Sequence, residues 1–277
     1  MTTLFDRDVT VAVLASGSGG NCTYIGDGSV GVLIDCGLST KMIMKRLDDA
    51  GLTAAPIDAV LITHEHTDHV GAAKVLCERL RQRNSGKYVP FYMTEGTLEG
   101  CPDACLPEAV EVFEAGKPFR LRHVEVDPFS IPHDVNDPVA FRLAIGDVAV
   151  AVATDLGRST ALVEGKLQAL DALVLEFNHD VDTLLNNPNY PWSLKQRIKS
   201  NHGHLSNQQA GELLSKVTSE RLKHLVLAHL SEKNNTPALA LSEARRTLLS
   251  QGAEHVAVAV AHQDQVTEPL RLRTAAW

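Results

Sequence analysis

The chain has 277 residues, 44% hydrophobic and 22% charged, which is enough to bury a substantial core and normal for a globular protein. Its net charge of −8 and pI near 5.8 argue against indiscriminate binding to polyanions. The composition also excludes a membrane protein of the helical kind, since no apolar run approaches the roughly 18 residues of a span.

The N-terminal MTTLFDRDVT lacks the charged-then-apolar layout of a secretory signal. Five cysteines, an odd number, do not form a disulfide framework. Both features point to a reducing, cytoplasmic setting with no membrane partner. Cys101 and Cys105, in CPDAC, have no second cysteine pair and read as a loop.

In chain order, VTVAVLA (9–15) and VGVLID (30–35) read as strands, and TKMIMKRLDDAG (40–51) as a helix. DAVLIT (58–63) is a strand, AAKVLCERLRQR (72–83) a helix and YVPFYM (88–93) a strand. PVAFRLAI (138–145) and VAVAVAT (148–154) follow as strands, with STALVEGKLQAL (159–170) as a helix and ALVLEF (172–177) as a strand. SNQQAGELLSKV (206–217) is a helix opening on Ser206 or Asn207 as its cap. HLVLAHL (224–230), the helix PALALSEARRTLLSQG (237–252) and HVAVAV (255–260) complete the pattern. IGDGS and LAIGDVAV are hairpin connections. Strands come first and then mix with helices, which predicts an α/β architecture of one or two mixed sheets with helices outside. No linker or repeat interrupts residues 1–277, so a single domain is expected.

One strand end carries unusual chemistry. LITHEHTDHVG places His64, His66, Asp68 and His69 within six positions, directly after an apolar run. Alternate side chains of an extended chain share a side, so His64 and His66 can face one ion while Glu65 points away. Asp68 and His69 fall on the turn into a helix starting near Gly71, where the chain can swing them toward a second ion. Further donors follow other apolar runs: His133 in FSIPHD, Asp155 in VAVATDLG and His229 in LVLAHLS. Imidazole and carboxylate suit zinc, manganese or iron. Two such ions can share a water, lower its pKa and generate hydroxide near neutral pH, so the reaction class is hydrolysis.

HEHTDH resembles the signature of the metallo-β-lactamase-fold hydrolases. LASGSGGNCTYIG, LIDCGLS, ATDLG, LEFNHD, GHLSN and LAHLSEKNN resemble the YycJ (WalJ) branch of that superfamily, from about residue 10 to residue 240. The resemblance implies an αββα sandwich with two divalent ions along one edge. His64, His66 and His133 would hold the first ion, Asp68, His69 and His229 the second, and Asp155 would bridge them. Asp68 thereby also belongs to the catalytic set. Asp35 in VLIDCG resembles the acid behind a metal-binding histidine, and Cys36 beside it reads as buried packing. As in ribonuclease Z, which is similar, His204 of GHLSN would contact the phosphate and protonate the leaving oxygen, supported by Glu176. Asn21 belongs to the substrate site by resemblance, and His179 of the branch-specific NHD is a candidate substrate contact.

The glycine-rich SGSGGN (16–21) would let backbone N–H groups approach a phosphate. Lys195, Arg197 and Lys199 read as a solvated helix face, or as a local positive groove if they face the site. The implied activity is a phosphodiesterase on nucleic acid, exonuclease-like on DNA. The alternatives are a phosphodiesterase of a small cyclic ester and, in another class, a non-catalytic metal-binding sensor. Aromatic residues are only 5%, so a nuclease here reads backbone rather than stacking bases. The oligomeric state is left open, a homodimer included.

Overall fold

The structure is a computed structural model that describes residues 8–274; most of the N-terminal stretch MTTLFDRDVT, read above for a secretory signal, lies outside the described residues. Strands β1 (Asp8–Ala15), β2 (Cys22–Gly26), β3 (Gly31–Ile34), β4 (Ala59–Leu61), β5 (Phe91–Met93) and β6 (Val110–Val112) build a first sheet. A second contains β7 (Phe119–Leu121), β8 (Val124–Ser130), β9 (Val139–Ile145), β10 (Val148–Ala153), β11 (Ala172–Glu176), β12 (His224–Ala228) and β13 (Ala257–Val260). The last strand, β14 (Leu270–Arg273), crosses back to pair with β1. Each sheet is antiparallel on one side and parallel on the other; β3 to β6 and β10 to β13 run parallel.

The helices are α1 (Thr40–Asp49), α2 (Thr67–Val70), α3 (Ala73–Arg83), α4 (Glu95–Gly100), α5 (Ala161–Lys166), α6 (Val181–Asn186), α7 (Trp192–Ile198), α8 (Asn207–Val217) and α9 (Pro237–Ser250). Alternation along β1 explains the layering. Val9, Val11 and Val13 face the second sheet and pack with Phe141, Val150 and Val174. Ala12 and Leu14 face outward under Ile43 and Leu47 of α1 and Leu76 of α3. The second sheet does the same, with Leu173 and Leu225 under Leu213 of α8 and Ala244 of α9. This is the expected αββα sandwich. No helix among the described residues is long and apolar enough to cross a membrane.

Several elements differ from the sequence reading. α5 stops at Lys166, short of the expected 170. Asp68 and His69 ride not on an open turn but on the short helix α2, with His66 as its cap residue and α3 restarting at Ala73. The expected cap of α8 is Ser206, in a reciprocal capping box with Gln209.

The parallel pairing puts the C-terminal ends of β3 and β4 side by side, and likewise those of β10, β11 and β12. Three residues just past these ends take the left-handed conformation: Asp35 (φ 62), Asp155 (φ 60) and His229 (φ 55). None is glycine, and such strain in non-glycine residues concentrates at functional sites.

The turn after β3 is locked to α2. The Cys36 N–H donates to His69 O at 2.7 Å and the Ala72 N–H donates to Cys36 O at 2.9 Å. A Cβ on Gly37 would lie 1.7 Å from Asp68 O. Gly37→Ala is therefore expected to cost about 2 kcal/mol or more in urea denaturation, as overpacking does. An unchanged midpoint would mean that this contact relaxes freely.

Candidate metal centre

Seven donors from distant parts of the chain meet at one edge of the sandwich. Ligand atoms of His64, His66 and His133 lie within 4.8 Å of one another, and so do those of Asp68, His69 and His229. Asp155 stands between the two triads. Its Oδ2 is 3.2 Å from His69 Nε2, and its Oδ1 is 3.5 Å from His229 Nδ1 and 3.9 Å from His133 Nε2. Glu65, left out of the donor set, indeed points away and accepts from the Asn136 N–H at 2.8 Å.

The atoms left over show what the cluster fits. His133 Nε2, Asp155 Oδ2 and His229 Nε2 are buried without a hydrogen-bond partner among the described residues. Buried polar atoms are seldom left so. Three such atoms directed into one donor cluster fit divalent cations, and the imidazole and carboxylate chemistry is that of zinc, manganese or iron sites.

A second layer holds the donors. Asp35 Oδ2 lies 2.8 Å from His69 Nδ1, fixing that ring so that Nε2 faces the cluster. The Thr63 hydroxyl donates to Asp35 at 3.0 Å and also stands 2.9 Å from His64 Nδ1. Sequence reasoning missed Thr63; its one signal is its place between the strand and His64. The carbonyl of Gly203 is 3.2 Å from His133 Nδ1, and Ser16 Oγ accepts from the His229 N–H at 2.8 Å. Cys36 is fully buried in the outer core, as read.

His204 Nδ1 lies 2.8 Å from Glu176 Oε1. Glu176 is fully buried, and its Oε2 accepts from the N–H groups of Leu156 at 2.9 Å and Leu205 at 3.1 Å. It also reaches His229 Nδ1 at 3.2 Å. Glu176 thus touches the rings of both His204 and His229. The His204 ring borders a cleft of ≈ 140 Å³ that His66 and His133 also line.

Three expectations are corrected. The SGSGGN loop offers no open cradle for phosphate: the N–H groups of Ser16, Gly17, Gly19, Gly20 and Asn21 go to His262 O, Asn21 Oδ1, Gln263 Oε1, Gly17 O and Asp68 O. Asn21 is buried rather than open to substrate; its Nδ2 is 3.0 Å from His69 Nε2 and 3.3 Å from Asp68 O. The loop is a brace, with Gln263 clamping it through Gly19 at 2.7 Å and Gly20 at 3.0 Å. Lys195 is neither solvated nor in the cleft; it is buried and donates to Leu185 O of α6 at 2.7 Å. Arg197 does line the cleft, whereas Lys199 is exposed. His179 is 1% exposed, and burial pulls it down to about 4, so it stays neutral. Its carbonyl accepts from the Asn207 N–H at 2.8 Å, joining it to α8.

The charges interlock. Burial alone would raise the Asp68 carboxyl, but the neighbouring imidazoles of His229 and His69, 3.8 and 3.5 Å from its Oδ2, outweigh it and hold it well below the usual range. Burial opposes the imidazolium of His69, yet the carboxylates of Asp155 and Asp35 raise it well above its ordinary value. His229 rises to about 10 against burial for the same reason, with Asp155 the largest favourable influence. His64 moves the other way, pulled down by burial and then by the charge of His69.

Cation uptake must therefore displace protons from His69 and His229. Affinity is expected to rise with pH, with calorimetry in buffers of different ionisation heat showing net proton release; a heat independent of buffer would refute this inventory. Removing the carboxylate behind His69, in Asp35→Ala, should weaken cation binding about 10–100-fold. Titration of the metal-depleted protein checks it, and wild-type affinity would remove Asp35 from the supporting layer.

The profile of the β-lactamase superfamily domain matches residues 31–230. The chain is 33% identical over 234 residues to the exodeoxyribonuclease WalJ of Streptococcus pneumoniae serotype 2 strain D39, covering 83% of this chain and 84% of that protein. It is 32% identical over 244 residues to the exodeoxyribonuclease YycJ of Bacillus anthracis, covering 87% and 89%. Among solved structures, the metallo-β-lactamase fold protein YhfI from Bacillus subtilis superposes with a TM-score of 0.68 at 18% identity, covering 94% of this chain and 99% of that one. That last likeness shows the fold. With donors, topology and relatives in agreement, the chain belongs to the metallo-β-lactamase superfamily, in its WalJ/YycJ branch.

Proposed function

We propose that this chain is a cytoplasmic metal-dependent phosphodiesterase that removes nucleotides from the end of DNA. In this reading His64, His66 and His133 would hold one divalent ion and Asp68, His69 and His229 a second, with Asp155 available to both. Zinc or manganese suits these donors, with iron a further choice. Such ions would supply a water of lowered pKa and would offset charge developing on a phosphoryl oxygen.

The observation that carries the reading is the His204–Glu176 pair at 2.8 Å, beside the donor cluster and at the cleft. Burial opposes the His204 imidazolium, but the Glu176 carboxylate outweighs it and raises the ring above its ordinary value. The carboxylate thus favours the protonated ring, with Nδ1 held by Glu176 and Nε2 left to give its proton to the leaving oxygen of a phosphodiester. A sensor would have no use for such a poised acid. The exodeoxyribonuclease names of WalJ and YycJ support DNA over a small cyclic ester.

The test pairs end-labelled double-stranded DNA with bis-p-nitrophenyl phosphate, using His66→Ala to exclude contaminating nuclease. Loss of nucleotides from one end, absent in the control, is the expected result. Turnover of the small ester alone would move the assignment to small phosphodiesters, and two inert substrates with ions bound would overturn it.

His204→Ala should lower kcat on DNA roughly 10²–10⁴-fold. The loss should be smaller on the nitrophenyl ester, whose leaving group needs no proton. In wild type, kcat falls as pH rises through the raised His204 value. Glu176→Gln removes the carboxylate that raises it, so this alkaline limb should move to lower pH. A limb that stays in place would mean that another group supplies the proton.

A further inference from the structure

We infer that Arg197 and Asp134 form a phosphate slot beside the first triad, in which Arg197 grips a DNA phosphate and Asp134 holds its place when DNA is absent. The inference rests on the phosphodiesterase reading and names how that site takes its polymer.

Helix α7 presents Leu194, Arg197 and Ile198, at positions i, i+3 and i+4, to the cleft that His66, His133 and His204 line opposite. With Lys195 turned into the protein, Arg197 is the cation that this helix brings to the cleft. Its Nε donates to Asp134 Oδ2 at 2.5 Å. The other oxygen of that carboxylate, Oδ1, is 3.6 Å from His133 Nε2, the buried nitrogen that has no hydrogen-bond partner.

One anionic group therefore spans from a guanidinium to a nitrogen of the first triad. That is the span of a phosphate directing one oxygen to the centre and another to Arg197. The contact engages Nε alone among the described residues, so the fork of the guanidinium has further N–H groups for a ligand. The pair is also easily exchanged, since the Arg197 side chain is 61% exposed and that of Asp134 28%. Exposed ion pairs are weakly held. A DNA phosphate competes with the carboxylate for the same cation, and Asp134 discourages anions too weak to displace it.

The test measures kcat and KM on end-labelled DNA between 50 and 200 mM salt, with metal content determined for each protein. Arg197→Ala should raise KM about tenfold and reduce the slope of log KM against log salt by about 0.7–0.9, the loss of one phosphate contact. Arg197→Lys should restore the slope but not the full affinity, because an ammonium cannot hold two oxygens in a fork. Asp134→Asn, which keeps the shape and removes the competing charge, should lower KM. A merely structural arginine would change stability and leave the salt slope alone. An unchanged slope in Arg197→Ala, or loss of bound metal in that variant, overturns the slot while the nuclease reading stands. If wild type neither binds nor degrades DNA at any of these salt concentrations, the nuclease reading fails and the slot with it.

Discussion

Three carboxylates, Asp35, Asp155 and Glu176, are at most 2% exposed, and each faces imidazole rather than lysine or arginine. A buried charge must be met by partners or it destabilises the fold. Histidine can meet it in two ways: as a cation when no ion is bound, and as a neutral donor when one is. A lysine in the same place would neutralise the carboxylate permanently and close the centre to metal. The choice of imidazole keeps the edge foldable in one state and receptive in the other, and the other features of the site serve it. The sharp left-handed residues after β3, β10 and β12 turn Asp35, Asp155 and His229 inward at the point where each strand ends.

The central strands were legible because both of their faces are covered. β1, β3, β4, β10, β11 and β12 read as continuous apolar runs, as buried strands do. β6, β7, β14 and all but the FS end of β8 escaped notice for the complementary reason. VEVDPFS of β8 and LRLR of β14 alternate apolar with charged residues, and β6 is mostly exposed at its sheet edge. β2 was hidden behind the glycine-rich loop that precedes it. The short helices α4 and α6 span too few turns to establish a period.

The donors themselves were readable because each follows an apolar run, so strand direction alone brings them to one edge. Their supports were not. Thr63 looks like any strand residue, and Asp134 looks like any loop acid. Gln263 meets Gly19 across 244 residues of chain, and no local pattern announces such a contact. The glycines of SGSGGN invited a phosphate-binding interpretation because glycine permits close approach. The close approach is real, but the visitor is the protein's own Gln263 side chain, and the loop's work is to press Asn21 against Asp68 and His69.

That clamp has a consequence for biogenesis. Gln263 lies on the crossing from β13 in one sheet to β14 in the other, later in the chain than every donor. Synthesis runs from the N-terminus, so HEHTDH leaves the ribosome well before the segment that steadies it. β1 must wait likewise for β14, its neighbour at the sheet edge. The nascent chain therefore carries HEHTDH before Gln263 exists, and the clamp on the loop that presses Asn21 against Asp68 and His69 closes only when the last strands dock.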